Sequence, residues 1–369
     1  MTRVAICGGG VIGAAIAYFL SRRGAQVTVI ERTGLACAAS GKAGGFLALD
    51  WCDGTPLRPL TRRSFALHAE LADQLGGDWG YRRLDTYGGF AGFAPQRRAA
   101  AGPIAWVSHA VSVSRRLGSG ETTAQVHPAA FTATMMRAAE MHGAELRLGQ
   151  VTGVIRRGPD SPVPGVLIGR ETLAADAVVI AMGPWSILAA QWLPLPAIFG
   201  LKGHSLVFRT GTAISPQALF VECRDRDGVS QTPELFPRPD GTTYVCAISS
   251  EAALPIDPGA VAPDPGAIER LHDICRDLSP VLASSDIVAE QACYRPITAD
   301  GLPLIGRVPG VDGAYVATGH SVWGILNAPA TGEAIAELIL DGRAKTVDLS
   351  PFDPARLRPL DPARLRLGS

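Results

Sequence analysis

The chain has 369 residues, 47% of them hydrophobic and 18% charged, which suits two packed domains and excludes bulk disorder. Lys+Arg and Asp+Glu number 34 each, so no global field directs the protein to nucleic acid or an anionic membrane. Seven cysteines without a CxxC pair and seven histidines without an HExxH spacing speak against a disulfide framework and a metal site.

At the start, Arg3–Gly8 reads as a short apolar strand, Ala14–Arg23 as a helix closed by Gly24, and Gln26–Ile30 as a second strand ending at Glu31. Between strand and helix lies Gly8-Gly9-Gly10-Val11-Ile12-Gly13, a GxGxxG turn. Gly8 makes the tight turn, Gly10 lets the backbone approach a pyrophosphate, and Gly13 allows close helix–strand packing. The helix N-terminus at Val11 and Ile12 supplies oriented N–H groups to the anion. Glu31, 18 residues after Gly13, can accept from the ribose hydroxyls of an adenosine. Its charge disfavours a 2′-phosphate and so favours FAD or NAD over NADP, although adjacent Arg32 works the other way. A ligand-free glycine turn in an α/β core is the plainer alternative, and the register of strand, turn, helix, strand and acid argues against it. Cys7 reads as a small core residue. The apolar start imitates a secretion signal, but its glycines fall in fingerprint register and no cleavage site follows.

The segment Ala38-Ala39-Ser40-Gly41-Lys42-Ala43-Gly44-Gly45-Phe46 is too small-residued to build a core. Small residues permit close backbone approach, and Ser40 and Lys42 can contact phosphate or ring polar atoms; a surface loop is the alternative. Residues 56–76 have helical apolar spacing, and 81–119 turn to short apolar runs with Gly and Pro. Pro128–His142 reads as a helix, followed by strands at Glu145–Leu148 and Val151–Arg156, with Val151 a candidate cofactor contact. Asp176–Gly183 reads as a buried parallel strand whose end, with Gly183 and Trp185, can carry an adenine or pyrophosphate edge. Residues 177–201 carry no charge and reach bilayer length, but Gly183, Pro184, Pro194 and Pro196 break them into a strand and a short helix. A soluble, cytoplasmic protein without a membrane span is expected.

From Lys202 to Glu290 short strands return, interrupted by a helix near Gly266–Leu278. The fold class is therefore α/β + β. Residues 1–80, 120–198 and 292–369 are expected to form the nucleotide-binding domain, and 81–119 with 199–291 a mainly antiparallel substrate domain. The repeated DPARLR at 353–358 and 361–366 reads as a surface tail.

Residues 293–332, CYRPITADGLPLIGRVPGVDGAYVATGHSVWGILNAPATG, complete a pattern with GGGVIG, Glu31, AASGKAGGF, AQVHPAAF and DAVVIAMGPWS. Together they resemble the FAD-dependent D-amino-acid oxidase, glycine oxidase and sarcosine oxidase superfamily over the whole chain. The spelling SGKAGGFLALDW is most similar to a poorly characterised subgroup of oxidoreductases there.

The resemblance implies a Rossmann-like FAD-binding domain interleaved with the substrate sheet, the flavin ring lying between them. The turn Gly319-His320 and the helix N-terminus at Gly324, Ile325 and Leu326 would lie against the flavin pyrimidine ring, where N–H donors and the helix dipole favour reduced flavin. A plain helix cap is the alternative, and His320 reads as a turn stabiliser. Arg295 takes the position that grips a substrate carboxylate in amino-acid-oxidising members, a task suited to a planar, permanently charged fork. A structural arginine capping turn carbonyls is the other reading. Ser321, Val322 and Trp323 stand where glycine-oxidase-like members often carry a second arginine. Cys293, five residues before Thr298, has the spacing of the flavin-linking cysteine of sarcosine-oxidase-like members, so a covalent thioether and a buried unreacted thiol are both open. Tyr244 could bond a substrate or serve the core; Lys42 or Lys202 could favour reaction with oxygen near flavin N5 or lie on the surface.

The activity implied is oxidation of the C–N bond of a small amine or amino acid by hydride transfer to flavin N5. Oxygen as acceptor makes an oxidase releasing peroxide; another carrier makes a dehydrogenase. A flavin-bound regulatory or interaction protein is an alternative of another class. An NAD-dependent dehydrogenase would leave the closing segment without purpose.

Overall fold

The strand Arg3–Cys7 is buried at four of its five positions and Ala177–Ile180 at all four, as strands covered on both faces must be. In the computed structural model, which describes residues 1–92, 102–156 and 163–365, these two lie side by side in a six-stranded sheet. Its order is Leu304–Arg307, Ala314–Thr318, Ala177–Ile180, Arg3–Cys7, Gln26–Glu31 and Glu145–Leu148. Neighbours are parallel except the first pair. This is the Rossmann-like half of the expected fold.

The helices in chain order are α1 (Val11–Ser21), α2 (Ala39–Lys42), α3 (Arg58–Leu75), α4 (Pro128–Met141), α5 (Ala267–Leu278), α6 (Pro280–Ser284) and α7 (Gly324–Leu340). Helix α1 starts three residues before the expected Ala14, because Gly10, extended at ψ 179, hands the chain directly to Val11. Buried Ala14, Ala15 and Ala17 let neighbouring helices approach α1 closely. Gly332 of α7 shows how closely: a Cβ there would lie 2.7 Å from the Ala15 carbonyl carbon. The opposite face of the sheet is covered by a small antiparallel sheet of Val151–Val154, Gly165–Ile168 and Glu171–Ala174.

The second layer is an eight-stranded sheet ordered Asp286–Ile297, Phe199–Arg209, Thr242–Ser250, Glu234–Pro237, Ala218–Arg224, Thr86–Ala91 and Val111–Gly118, with Ser230–Gln231 beside Ala218–Arg224. Pairing is antiparallel apart from Ala218–Cys223 against Thr86–Ala91. Period-two alternation separates its faces. Leu206, Phe208 and Val245 pack on Leu271, Cys275 and Leu278, whereas Val207, Phe236, Tyr244 and Cys246 form the other face. Phe46 from the nucleotide side stacks on Phe236 at 5.4 Å between ring centroids.

Several expectations meet the structure differently. The strand Asp286–Ile297 runs unbroken across the boundary expected at residue 292, because its whole length pairs with Phe199–Arg209. Arg82–Arg83 pairs with Thr123–Gln125 rather than joining the large sheet. Residues 93–101 of the expected 81–119 segment, 157–162 of the 120–198 segment and 366–369 lie outside the described residues. The DPARLR repeat divides. Pro354 is buried, and Arg356 donates to Asp300 Oδ2 at 2.7 Å and to the Leu302 carbonyl at 2.6 Å, which fastens the first copy to the TADG turn. Arg364 of the second copy remains exposed. Among the described residues no helix is long and apolar enough to cross a membrane; residues 177–201 contain the strand Ala177–Ile180 and a 3₁₀ turn at Gly183–Gln191.

Candidate active site

One elongated cavity runs from the carboxyl ends of the parallel strands to the free face of the large sheet. The carboxyl edge of a doubly wound sheet is where such folds place ligands. At its first end the Glu31 carboxylate accepts from the Gly9 N–H at 2.7 Å and the Thr33 N–H at 2.9 Å, with Gly149 and Val151 alongside. Next comes the start of α1. Gly8 has φ 117, and a Cβ on it would lie 2.4 Å from the Ala181 oxygen, so only glycine fits. Gly10 offers no side-chain cap; Ser40 Oγ accepts instead from the Val11 N–H at 2.9 Å. The helix thus presents backbone donors and its positive end to the cavity wall.

The far end is built by the large sheet and the start of α7. Glu234, Tyr244, Cys246, Cys293 and Arg295 line it from the sheet, opposite Ser321, Val322, Gly324 and Ile325. Arg295 Nη1 donates to Ser249 Oγ at 3.2 Å. Tyr244 is buried and stacked on Phe236 at 6.2 Å, and burial pushes its hydroxyl well above the ordinary tyrosine range. Burial likewise raises the Cys293 thiol, which keeps it protonated and a poor nucleophile.

Two buried histidines hold the α7 turn. His320 Nε2 meets Thr331 Oγ1 at 3.1 Å, and burial pushes its pKa down to about 3, so the ring is neutral and no base. His68 Nε2 donates to the Ile325 and Leu326 carbonyls at 3.0 and 3.2 Å, with its pKa pushed down to about 4 by burial. Both values fall below the ordinary 6.5, so on acidification the unfolded chain takes up protons first. Their stabilising contribution is complete above pH about 6.5 and is lost as the pH falls toward 4. Melting curves of the flavin-loaded protein across that window are expected to show a steady fall in midpoint; a flat profile would contradict it.

The cavity wall brings together Gly8, Gly10, Val11, Ile12, Glu31, Arg32, Ser40, Val151, Gly183 and Trp185 at the nucleotide side, with Gly44 further along against Phe236 and Tyr244. At the other side it gathers Tyr244, Cys293, Arg295, His320, Gly324 and Ile325. Gly13, Gly41, Gly45 and Gly319 lie behind the wall as close-packing positions: a Cβ would come within 2.0 Å of the Gly8 oxygen, 2.2 Å of the Ala36 oxygen, 2.0 Å of the Val126 oxygen and 2.7 Å of Thr298 Cγ2, respectively. Leu326 is turned into the core. Lys42 also lies off the wall, its ammonium donating to the Ala292 carbonyl at 3.1 Å. Lys202 is buried and paired with Asp264 at 2.5 Å, neither on the surface nor in the cavity.

Sequence reasoning missed Glu234, Cys246 and the segment at Ile256 and Pro258. That segment crosses the nucleotide end, tied by Arg32 Nη1 to the Ile256 carbonyl at 3.1 Å and by Trp185 Nε1 to the Pro255 carbonyl at 2.7 Å. Arg32 is therefore occupied in closing the cavity. Alternation puts Glu234 on the same strand face as Phe236, two positions on, but that this face meets the cavity follows only from strand pairing.

These residues fit FAD: an acid for the ribose, side-chain-free donors for the pyrophosphate, and a long cavity ending at a sheet face and a helix N-terminus. Comparison with known proteins agrees. The family model described as FAD dependent oxidoreductase matches residues 3–338. A Schizosaccharomyces pombe protein described as an oxidoreductase is 31% identical, over 95% of this chain and 97% of its own. Glycine oxidase of Geobacillus kaustophilus is 28% identical over 96% of each chain. The crystal structure of glycine oxidase from that organism superposes with a TM-score of 0.79 at 25% identity, covering 96% of this chain and 99% of the other. The chain belongs to the FAD-dependent oxidoreductase family of the D-amino-acid oxidase and glycine oxidase type, and its cofactor is FAD.

Proposed function

We propose that the protein oxidises the C–N bond of a small amino acid or amine, with Arg295 holding a substrate carboxylate at the sheet end of the cavity. The carrying observation is that Arg295 lines the same cavity end as the start of α7. The residues suited to hold FAD are Glu31 at the ribose, the Gly8–Ile12 turn with Ser40 at the pyrophosphate, and Gly324 and Ile325 at the ring. When bound, FAD supplies a two-electron acceptor. Arg295 fixes the substrate by a bidentate grip, and a fixed orientation is itself a large part of rate enhancement. Buried, neutral His320 is spared from proton transfer, so the substrate amine must lose its proton before or during oxidation.

Oxygen as final acceptor, releasing peroxide and an imine that hydrolyses, is the first reading. A dehydrogenase with another carrier is the second, and the lysine positions favour it: neither Lys42 nor Lys202 reaches the cavity wall. Anaerobic addition of D- and L-amino acids, N-methyl amino acids and simple amines tests the proposal. Bleaching of the flavin by a carboxylated amine is expected; no bleaching by any of them rejects it. Peroxide formed in air then separates the two readings.

A further inference from the structure

Among the described residues, Glu234 is the one acidic side chain at the sheet end of the cavity, as Arg295 is the one permanent cation there. Glu234 pairs with Cys246, Cys246 with Ser205, and the adjoining Gly203 with Cys293 on the strand that carries Arg295. Acid and base therefore stand on strands three spacings apart and are also offset along them, since Ser205 faces Gln291 whereas Arg295 faces Leu201. Long side chains reach inward from both sides over a floor of Cys246 and Gly203. The floor is low: a Cβ on Gly203 would already lie 3.2 Å from Arg295 Nη2.

The two do not close on each other. Arg295 donates to Ser249 Oγ, and the partner of Glu234 Oε2 is the Cys246 thiol at 3.6 Å. A thiol is a weak donor, so the half-buried carboxylate keeps accepting capacity free for the N–H groups of a ligand. Burial raises the Glu234 pKa on balance, and Arg295 and the Cys246 thiol offset part of that rise. His204, Tyr244, Cys246, Cys293, Arg295 and His320 are the other titratable groups at this end.

We propose that Glu234 is a specificity-determining residue that receives the cationic amine of the substrate while Arg295 holds its carboxylate. The ligand of this end is then a small zwitterion, with its C–N bond laid across the gap. This rests on the reading of Arg295 given above, so the test separates the two. Acetate presents a carboxylate alone and glycine presents both charges. Each is titrated anaerobically into the FAD-loaded wild type and the Glu234→Gln, Glu234→Asp and Arg295→Met variants, with the shift of the flavin absorbance spectrum as readout.

Glu234→Gln is expected to weaken glycine about tenfold or more while leaving acetate within about twofold, with Glu234→Asp intermediate. Arg295→Met is expected to weaken both. Glycine and acetate weakened equally by Glu234→Gln, or neither affected, with Arg295→Met behaving as stated, overturns the role of Glu234 alone. Acetate binding that survives Arg295→Met overturns the Arg295 reading and the zwitterion clamp with it. Wild type that binds acetate but not glycine also overturns the clamp.

Discussion

Arg295→Met is expected to raise KM for a carboxylated substrate by about 10²–10³-fold and to change it by less than about threefold for the corresponding amine lacking the carboxylate. A bidentate guanidinium–carboxylate pair comprises two charge-assisted hydrogen bonds, together worth about 3–5 kcal/mol in a shielded site. One N–H of Arg295 is committed to Ser249, but the group has five donors and keeps a face for the ligand. Among the described residues no neighbour can replace it. Lys202 is locked to Asp264, Lys42 to the Ala292 carbonyl, and Arg238 donates to the Ala43 carbonyl at 3.0 Å. The turn before α7 carries Ser321, Val322 and Trp323 and adds no charge. Methionine keeps the length and packing of the stem, so the strand Asp286–Ile297 should persist. Steady-state kinetics on an amino acid and its decarboxylated counterpart provide the measurement. Equal losses on both would remove carboxylate binding from Arg295.

Local chemistry made the nucleotide end legible. A glycine turn, a helix of small residues and an acid after the second strand act within one βαβ unit, and the fold keeps them there. Arg295 was singled out through its turn, and it lies on the cavity wall. Glu234 was not, because it reaches the cavity only through the pairing of Glu234–Pro237 with Thr242–Ser250, and pairing register is a tertiary fact. The lysines failed for a related reason. Lys42 meets a carbonyl 250 positions away and Lys202 an aspartate 62 away, and no spacing rule carries that information. The DPARLR tail misled because its two copies are identical in sequence, while only the first meets Asp300.

Gly13→Ala is expected to abolish stable FAD binding. Gly13 lies behind the cavity wall, yet a Cβ there would stand 2.0 Å from the Gly8 oxygen and 3.4 Å from Ile6 Cγ2. Ordinary contact needs more than about 3 Å, so α1 would have to retreat by about 1 Å or Gly8 would have to turn. Neither is open. Gly8 is held at φ 117 against the Ala181 carbonyl, and α1 is backed by α7, where Gly332 already lies against Ala15. Overpacking of this kind costs about 1–3 kcal/mol in fold stability. The larger effect falls on the ligand, because retreat of α1 moves its N-terminal donors away from the pyrophosphate. The variant is expected to purify colourless, or to bind added FAD at least about 100-fold more weakly. Gly24→Ala is the control. Gly24 also has a left-handed φ of 82, but an added methyl would meet nothing within 4 Å, so the variant should lose about 1 kcal/mol and remain yellow. Retention of FAD at wild-type affinity by Gly13→Ala would mean that the helix N-terminus does not hold the pyrophosphate.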